Sequence, residues 1–237
     1  MQPAPRITAL KSRIRGATLV ELSIVMLVTA TLIAGATMAK TLINNGDLLK
    51  VIRELKGIEV AITQFQSTYN YLPGDYPKAS EGWAGAHDGN GDNIIAIANE
   101  NYYVWEHLFK AGLISTQYTG GNTELYTSIH RGVYMVANVT VFGVTGHAIL
   151  LGSPSNGGTA AYNKVFTTEE TSFIDKKIDD GVASQGRLLG VDGADVITAG
   201  DCSASPTSSG KDGAGNPILY NRSFKKAACR LVYWLKK

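Results

Sequence analysis

The 237 residues carry 22 Lys and Arg against 20 Asp and Glu, a net charge of +2, and 44% of them are hydrophobic. A chain of this size can bury a core of its own as one domain or at most two small ones, and its near-neutral balance excludes the broad basic footprint of a nucleic-acid binder. Twenty-six glycines predict a loop-rich body; the two cysteines, Cys202 and Cys229, stand without CxxC spacing or clustered histidines, which excludes a zinc site. In an oxidising compartment they read as one disulfide, with free thiols the alternative.

The first predicted element is apolar. Arg6, Lys11, Arg13 and Arg15 form a basic leader closed by Gly16, and from Ala17 to Ala39 the only charge is Glu21. Those 23 residues would span roughly 35 Å as a helix at 1.5 Å per residue, enough to cross a bilayer core of about 30 Å. The basic leader should stay cytoplasmic and send the bulk of the chain outward. A secretory signal peptide has a shorter apolar region followed by small residues at its cleavage site, and here the small residue comes first. Glu21 is the discriminating residue. A carboxylate within a membrane helix costs about 2.5–3.5 kcal/mol at mid-depth and less near the interface. Cutting after Gly16 would offset this by placing a new α-amine on Ala17, about one helical turn away. The plainer alternative is a tolerated interfacial glutamate on an ordinary signal anchor.

The string "GATLVELSIVMLV" from Gly16 to Val28 resembles the class III signal of type IV pilins and type II secretion pseudopilins. The resemblance implies that a prepilin peptidase cuts after Gly16, that Ala17 becomes the N-methylated first residue, and that Glu21 directs assembly. The family usually has Phe directly after the glycine, where this chain has Ala17. Also implied are a single-pass precursor in the bacterial inner membrane with its body in the periplasm, and later a pilus or pseudopilus fibre. Its partners would be identical or related pilin subunits, the peptidase and an inner-membrane assembly platform. The implied fold is α+β and pilin-like: a long helix packed on a small antiparallel sheet. Residues 1–16 would be the leader, 17–39 the transmembrane and fibre-core half of the spine, 40–71 its amphipathic half, and 72–237 the body.

The spine helix continues past the apolar run, because Leu48, Val51, Ile52, Leu55, Ile58, Ile62, Phe65 and Tyr69 recur at spacings of three and four. Asn44-Asn45-Gly46 interrupts this pattern and predicts a kink or local melting. Asp47, Lys50, Arg53, Glu54, Lys56 and Glu59 fall on the polar face. "LPGD", residues 72–75, ends the spine as a turn, since the residue before a proline is biased away from helix. A subfamily of pilin-like proteins carries a similar turn. "AHDGNGDNII" then spaces Asp88, Asn90 and Asp92 alternately, as calcium loops do, but Asn99 stands where an EF-hand has its final Glu. A full EF-hand is rejected; a smaller calcium site on Asp88, Asn90 and Asp92 and a metal-free Asx turn both stay open. Some secretion pseudopilins bind calcium in a loop; no other cofactor is implied.

"NYYVWEHLFKAGLI" predicts a short helix over 101–114 with Val104, Trp105, Leu108 and Phe109 inward and Gly112 as its cap. Residues 132–151 read as strands of a hairpin or meander. "TTEETSFIDKKIDDG" holds a capping box from Thr167 to Glu170 and a helix ending near Gly181, with Asp175, Lys176, Lys177, Asp179 and Asp180 on a solvated face. Residues 199–217 read as a loop and "ACRLVYWLKK" as a terminal strand. A bond from Cys202 to Cys229 would tie that loop to that strand, and related pilins often carry such a disulfide loop on the exposed fibre surface.

No catalytic constellation stands out. His87, His107, His130 and His147 are scattered, and HExxH, GxSxG, P-loop and dinucleotide fingerprints are absent. The chain reads as a substrate of processing enzymes and not as an enzyme. Two other readings remain. A tip-located binding module would use the basic tail of Arg222, Lys225, Lys226, Arg230, Lys236 and Lys237, which otherwise reads as a solvated edge strand; an interaction with nucleic acid is disfavoured. The other is a signal-anchored periplasmic protein that never polymerises.

Overall fold

The structure, a computed structural model, describes residues 18–97, 99–128, 132–155, 158, 160–195, 198–203 and 209–235. The first residues of that range open a helix of 51 residues, α1 (Leu19–Tyr69). By internal contacts the chain divides into two units, residues 1–45 and 46–237. Helical backbone nevertheless runs through Asn44-Asn45-Gly46, so the helix does not melt there. Two Asn and one Gly cost only about 2 kcal/mol of intrinsic propensity together, a weak opponent to long helical flanks.

The first unit is apolar and open. Leu19, Val20, Met26, Leu27, Leu32 and Ile33 are all at least 64% exposed, and this is the one stretch among the described residues long and apolar enough to cross a membrane. In the second unit the same residue types are covered: Leu48, Val51, Leu55, Ile58, Ile62 and Phe65 form the buried stripe predicted from their spacing. Asn70 ends the helix in a left-handed conformation (φ 59°). Leu72 to Asp75 then make a type II turn. Pro73 supplies the fixed φ, Gly74 takes φ +91°, and the Asp75 N–H donates to the Leu72 carbonyl at 3.2 Å. Any side chain on Gly74 would meet the Glu100 carbonyl at 2.4 Å, so glycine is required twice over.

After a short α2 (Ala79–Gly82) comes α3 (Glu100–Lys110), which buries Val104, Trp105 and Leu108 and leaves Phe109 half-buried. Ala111 is its cap and Gly112 (φ +70°) the left-handed residue beyond; the Gly112 and Leu113 amides donate to the Phe109 and Leu108 carbonyls, a Schellman closure.

Strands β1 (Tyr126–Thr127), β2 (Val133–Val141), β3 (Val144–Gly152), β4 (Phe166–Thr167), β5 (Leu188–Asp192) and β6 (Ala227–Trp234) form one antiparallel sheet in the order β1-β2-β3-β6-β4, with β5 also on β6. The β2–β3 hairpin turns on Phe142 and Gly143, both at positive φ, as a two-residue type I′ turn demands. Period-two alternation sorts the strands into faces. Tyr134, Val136, Ile149, Leu151, Leu231 and Tyr233 pack with the spine residues, whereas Met135, Ala137, Ala148, Leu150 and Val232 join Tyr102 and Leu189 in a second cluster. Within the body the layout is α+β and pilin-like, as expected.

The terminal strand corrects the edge-strand reading. β6 pairs with β5 along one side and with β3 and then β4 along the other, so it lies inside the sheet. Helix α4 (Thr168–Ile178) starts on the predicted box: Thr167 accepts from the Glu170 N–H, and Glu170 accepts from the Thr167 N–H. Its predicted solvated face holds only in part, because Asp175 is fully buried.

Candidate functional site

Gly16 and Ala17 lie outside the described residues, and so do His130, Lys236 and Lys237. Glu21 is described, and one of its carboxylate oxygens is engaged at the start of its own helix. Its Oε2 accepts the Thr18 N–H at 2.8 Å and the Thr18 hydroxyl at 3.1 Å, while the Glu21 N–H donates to Thr18 Oγ1 at 3.2 Å. Thr18-Leu19-Val20-Glu21 is therefore a capping box closing the N-terminus of α1. The sequence held that signal, a Thr followed three residues on by Glu before an apolar run, but the membrane cost of the carboxylate drew attention elsewhere.

The second centre is built around the turn at residues 72–75. Asp75 is fully buried and accepts three backbone amides: Gly91 at 2.7 Å and Asp92 at 3.1 Å on Oδ1, and Asn93 at 2.8 Å on Oδ2. Burial, helped by the nearby Asp92 charge, still lifts its pKa above the ordinary range, against the pull of those amides. Glu100 takes the Asn90 amide on Oε1 and the Ala96 amide on Oε2. Below the turn, the Gly74 N–H donates to His107 Nδ1 at 2.8 Å, so Nε2 carries the proton and meets the His87 carbonyl at 2.8 Å. Burial holds His107 below its ordinary pKa of 6.5, with the His87 carbonyl, Glu106 and Asp88 opposing. The turn, the glycine-rich loop and α3 are thus stitched into one unit.

Of the three residues proposed for calcium, Asn90 and Asp92 stay together and Asp88 is engaged elsewhere. Asp88 turns to Ser80, accepting its N–H and hydroxyl at 2.7 Å each. Asn90 donates its side-chain amide to Asp92 Oδ2 at 3.0 Å, and Asp92 Oδ1 accepts the Ile94 N–H, the pattern of an Asx turn. Asp92 instead approaches Asp75 and Glu100, with one oxygen of each within 4.8 Å of the others. Every carboxylate oxygen of that trio already accepts an N–H.

Acids on the spine's polar face hold the sheet. Glu54 accepts the Ser128 and Tyr134 hydroxyls at 2.9 and 2.8 Å. Glu59 takes the Arg187 guanidinium and the Tyr233 hydroxyl, while Lys56 reaches that same hydroxyl. Burial works against the Glu59 charge, but Arg187, Tyr233 and Lys56 hold its pKa below the ordinary range. A cavity of about 610 Å³ lies beside this clamp, between the spine and the β2–β3 tip. Its titratable groups have structural partners: Glu59 those just named, and His147 the Ile95 N–H, which it accepts at Nε2.

Cys202 and Cys229 form the disulfide expected of them, with Cα atoms 5.0 Å apart and both residues fully buried. Asp192 in β5 fixes the approach by accepting the Gly200 and Cys202 amides at 2.7 Å each. The bond belongs to the core on the spine's side of the sheet, not to the surface. The basic tail is dispersed as well: the Arg230 guanidinium lies over Tyr162, its Nη1 buried, and Lys225 pairs with Glu169.

Comparison with models of known protein families, with characterised proteins and with solved structures gave no match.

Proposed function

We propose that the chain is a structural subunit of a type IV pilus or type II secretion pseudopilus. Its precursor sits in the bacterial inner membrane with the N-terminus cytoplasmic and the body periplasmic. A prepilin peptidase cuts after Gly16, Ala17 becomes the methylated N-terminus, and an inner-membrane platform adds the subunit to a fibre of identical or related chains. One observation carries this reading: the string "GATLVELSIVMLV" opens a helix whose first half keeps its apolar side chains uncovered among the described residues.

Burying these stems against one another supplies a large but non-directional drive. Register needs a charge. In a low-dielectric fibre core an unpaired carboxylate is penalised heavily, so Glu21 favours the neighbour that presents the Ala17 amine and rejects misplaced ones. The capping box sharpens the test, because Gln caps a helix as Glu does. Glu21→Gln should keep the helix start, insert and be cleaved, yet assemble poorly, as should Glu21→Ala. Sheared-fibre yield measures this; normal yield from Glu21→Gln would show that capping alone is the role of this residue.

A tip-located binding module on such a fibre would share the spine. Copy number separates the two, hundreds of subunits per fibre against a few. The burial of Arg230 Nη1 and the pairing of Lys225 weigh against a continuous basic patch among the described residues.

A further inference from the structure

A second acidic cluster lies at the C-terminal end of α4, and it differs from the one under the spine turn in a single respect. Asp175, Asp179 and Asp180 each bring one oxygen within 4.8 Å of the other two. That spacing suits one ion bound at about 2.3–2.6 Å from each. Every carboxylate is steadied on one oxygen only. The Tyr220 hydroxyl donates to Asp175 Oδ2 at 2.8 Å, the Arg187 and Leu188 amides donate to Asp179 Oδ2, and the Val182 amide donates to Asp180 Oδ1 at 2.8 Å. Asp175 is fully buried, and its remaining oxygen, Oδ1, makes no hydrogen bond of ordinary geometry among the described residues, although the Gly181 amide lies near the carboxylate. In the Asp75 trio, by contrast, every oxygen already accepts an N–H.

The three acids themselves concentrate negative potential here. None of the three carboxylates enters an ion pair among the described residues. They sit at a helix C-terminus, where the macrodipole favours cations. An orphaned buried carboxylate oxygen is an unfavourable feature that native proteins resolve with a partner, and three converging carboxylates make a cation a fitting one. Carboxylates held from behind by hydrogen bonds, each with a free oxygen, are how proteins orient metal ligands.

We propose that Asp175 Oδ1, Asp179 and Asp180 hold a hard divalent cation, calcium by the all-oxygen character of the ligands. Water would complete the coordination. Because Asp179 is bonded to the start of β5 and Asp175 to Tyr220, the ion would clamp α4, β5 and the Tyr220 segment together. The proposal is independent of the fibre reading, since it concerns the body alone.

The test uses the full chain in detergent, stripped with chelator and titrated with CaCl2 by calorimetry and thermal melting. One binding event and a higher melting temperature are expected. Asp179→Asn and Asp180→Asn, both exposed positions, should each weaken binding at least tenfold, and Asp92→Asn in the other cluster should leave it unchanged. No heat and no melting shift up to about 10 mM CaCl2, the weak end for extracellular calcium modules, would overturn the proposal. So would binding that survives in Asp180→Asn or disappears in Asp92→Asn. Should the Asn variants misfold, terbium luminescence of the wild-type chain decides. Emission sensitised by Tyr220 and lost in Tyr220→Phe supports the site, and emission unchanged in that variant removes it.

Discussion

Leu27 and Leu55 are the same residue on one helix, yet Leu27 is 67% exposed and Leu55 is fully buried. The difference divides the chain into a part that satisfies its apolar surface internally and a part that does not. Leu55 joins the core cluster that holds the sheet residues; Leu27 has no cover among the described residues. An apolar stem without internal cover requires an apolar environment from outside, first the lipid and then, on the reading proposed here, other stems.

That contrast can be broken by truncation. Phe65→Ala, in the covered half, should cost the body about 3–5 kcal/mol, the usual loss for a buried aromatic. Leu27→Ala should leave the unfolding midpoint of the body unchanged. Equal losses at both positions, measured by denaturant unfolding in detergent, would erase the distinction.

The body also depends on devices the stem lacks. The Cys202–Cys229 bond closes a separation of 27 residues, and its loss should cost about 2–4 kcal/mol in the chain-entropy account. Comparing melts with and without reductant reads this directly, with the double Ala variant as the control that should no longer respond. At the helix starts, Thr167→Ala should remove about 1 kcal/mol from the body. Thr18→Ala breaks the equivalent box on the stem and should leave the melt of the body unmoved.

The smallest effect is a pH slope. His107 is held neutral below its ordinary pKa of 6.5, so the unfolded chain takes up a proton first as pH falls. Its contribution is complete above that value and declines as pH drops toward the folded-state pKa. Stability measured between pH 7 and pH 5 should fall more steeply in the wild type than in His107→Gln. Parallel slopes would show that the histidine is not carrying the Gly74 contact in its neutral form.

Elements set by local pattern were legible in the sequence. The spacing of Leu48 to Phe65, the turn at Pro73-Gly74, the strands of a hairpin or meander over 132–151 and the Thr167–Glu170 box each depend on residues a few positions apart, and the structure contains all of them, the strands as a hairpin. What escaped depends on partners far along the chain. Nothing near Asp175 announces Tyr220, 45 residues away, and nothing near Glu59 announces Arg187 or Tyr233. Helical spacing puts Asp175 on a solvated face and Glu59 on the polar face because it ranks polarity without seeing the opposing surface. β6 was misread for the same reason: its basic residues suit an edge, but pairing with β5, a strand the sequence did not suggest, places it inside. At Asp88, Asn90 and Asp92 the alternating ligand pattern was real, but buried Asp75 and Glu100 captured the loop's amides.

The uncovered stem becomes a fibre core only if processing unmasks its N-terminus, so mass spectrometry of the chain purified from cells that express a prepilin peptidase is the most direct test. A mature form beginning at Ala17 with one added methyl, absent when the peptidase is deleted, is the predicted result. Recovery of the intact chain from Met1 to Lys237 in the presence of active peptidase would contradict the account.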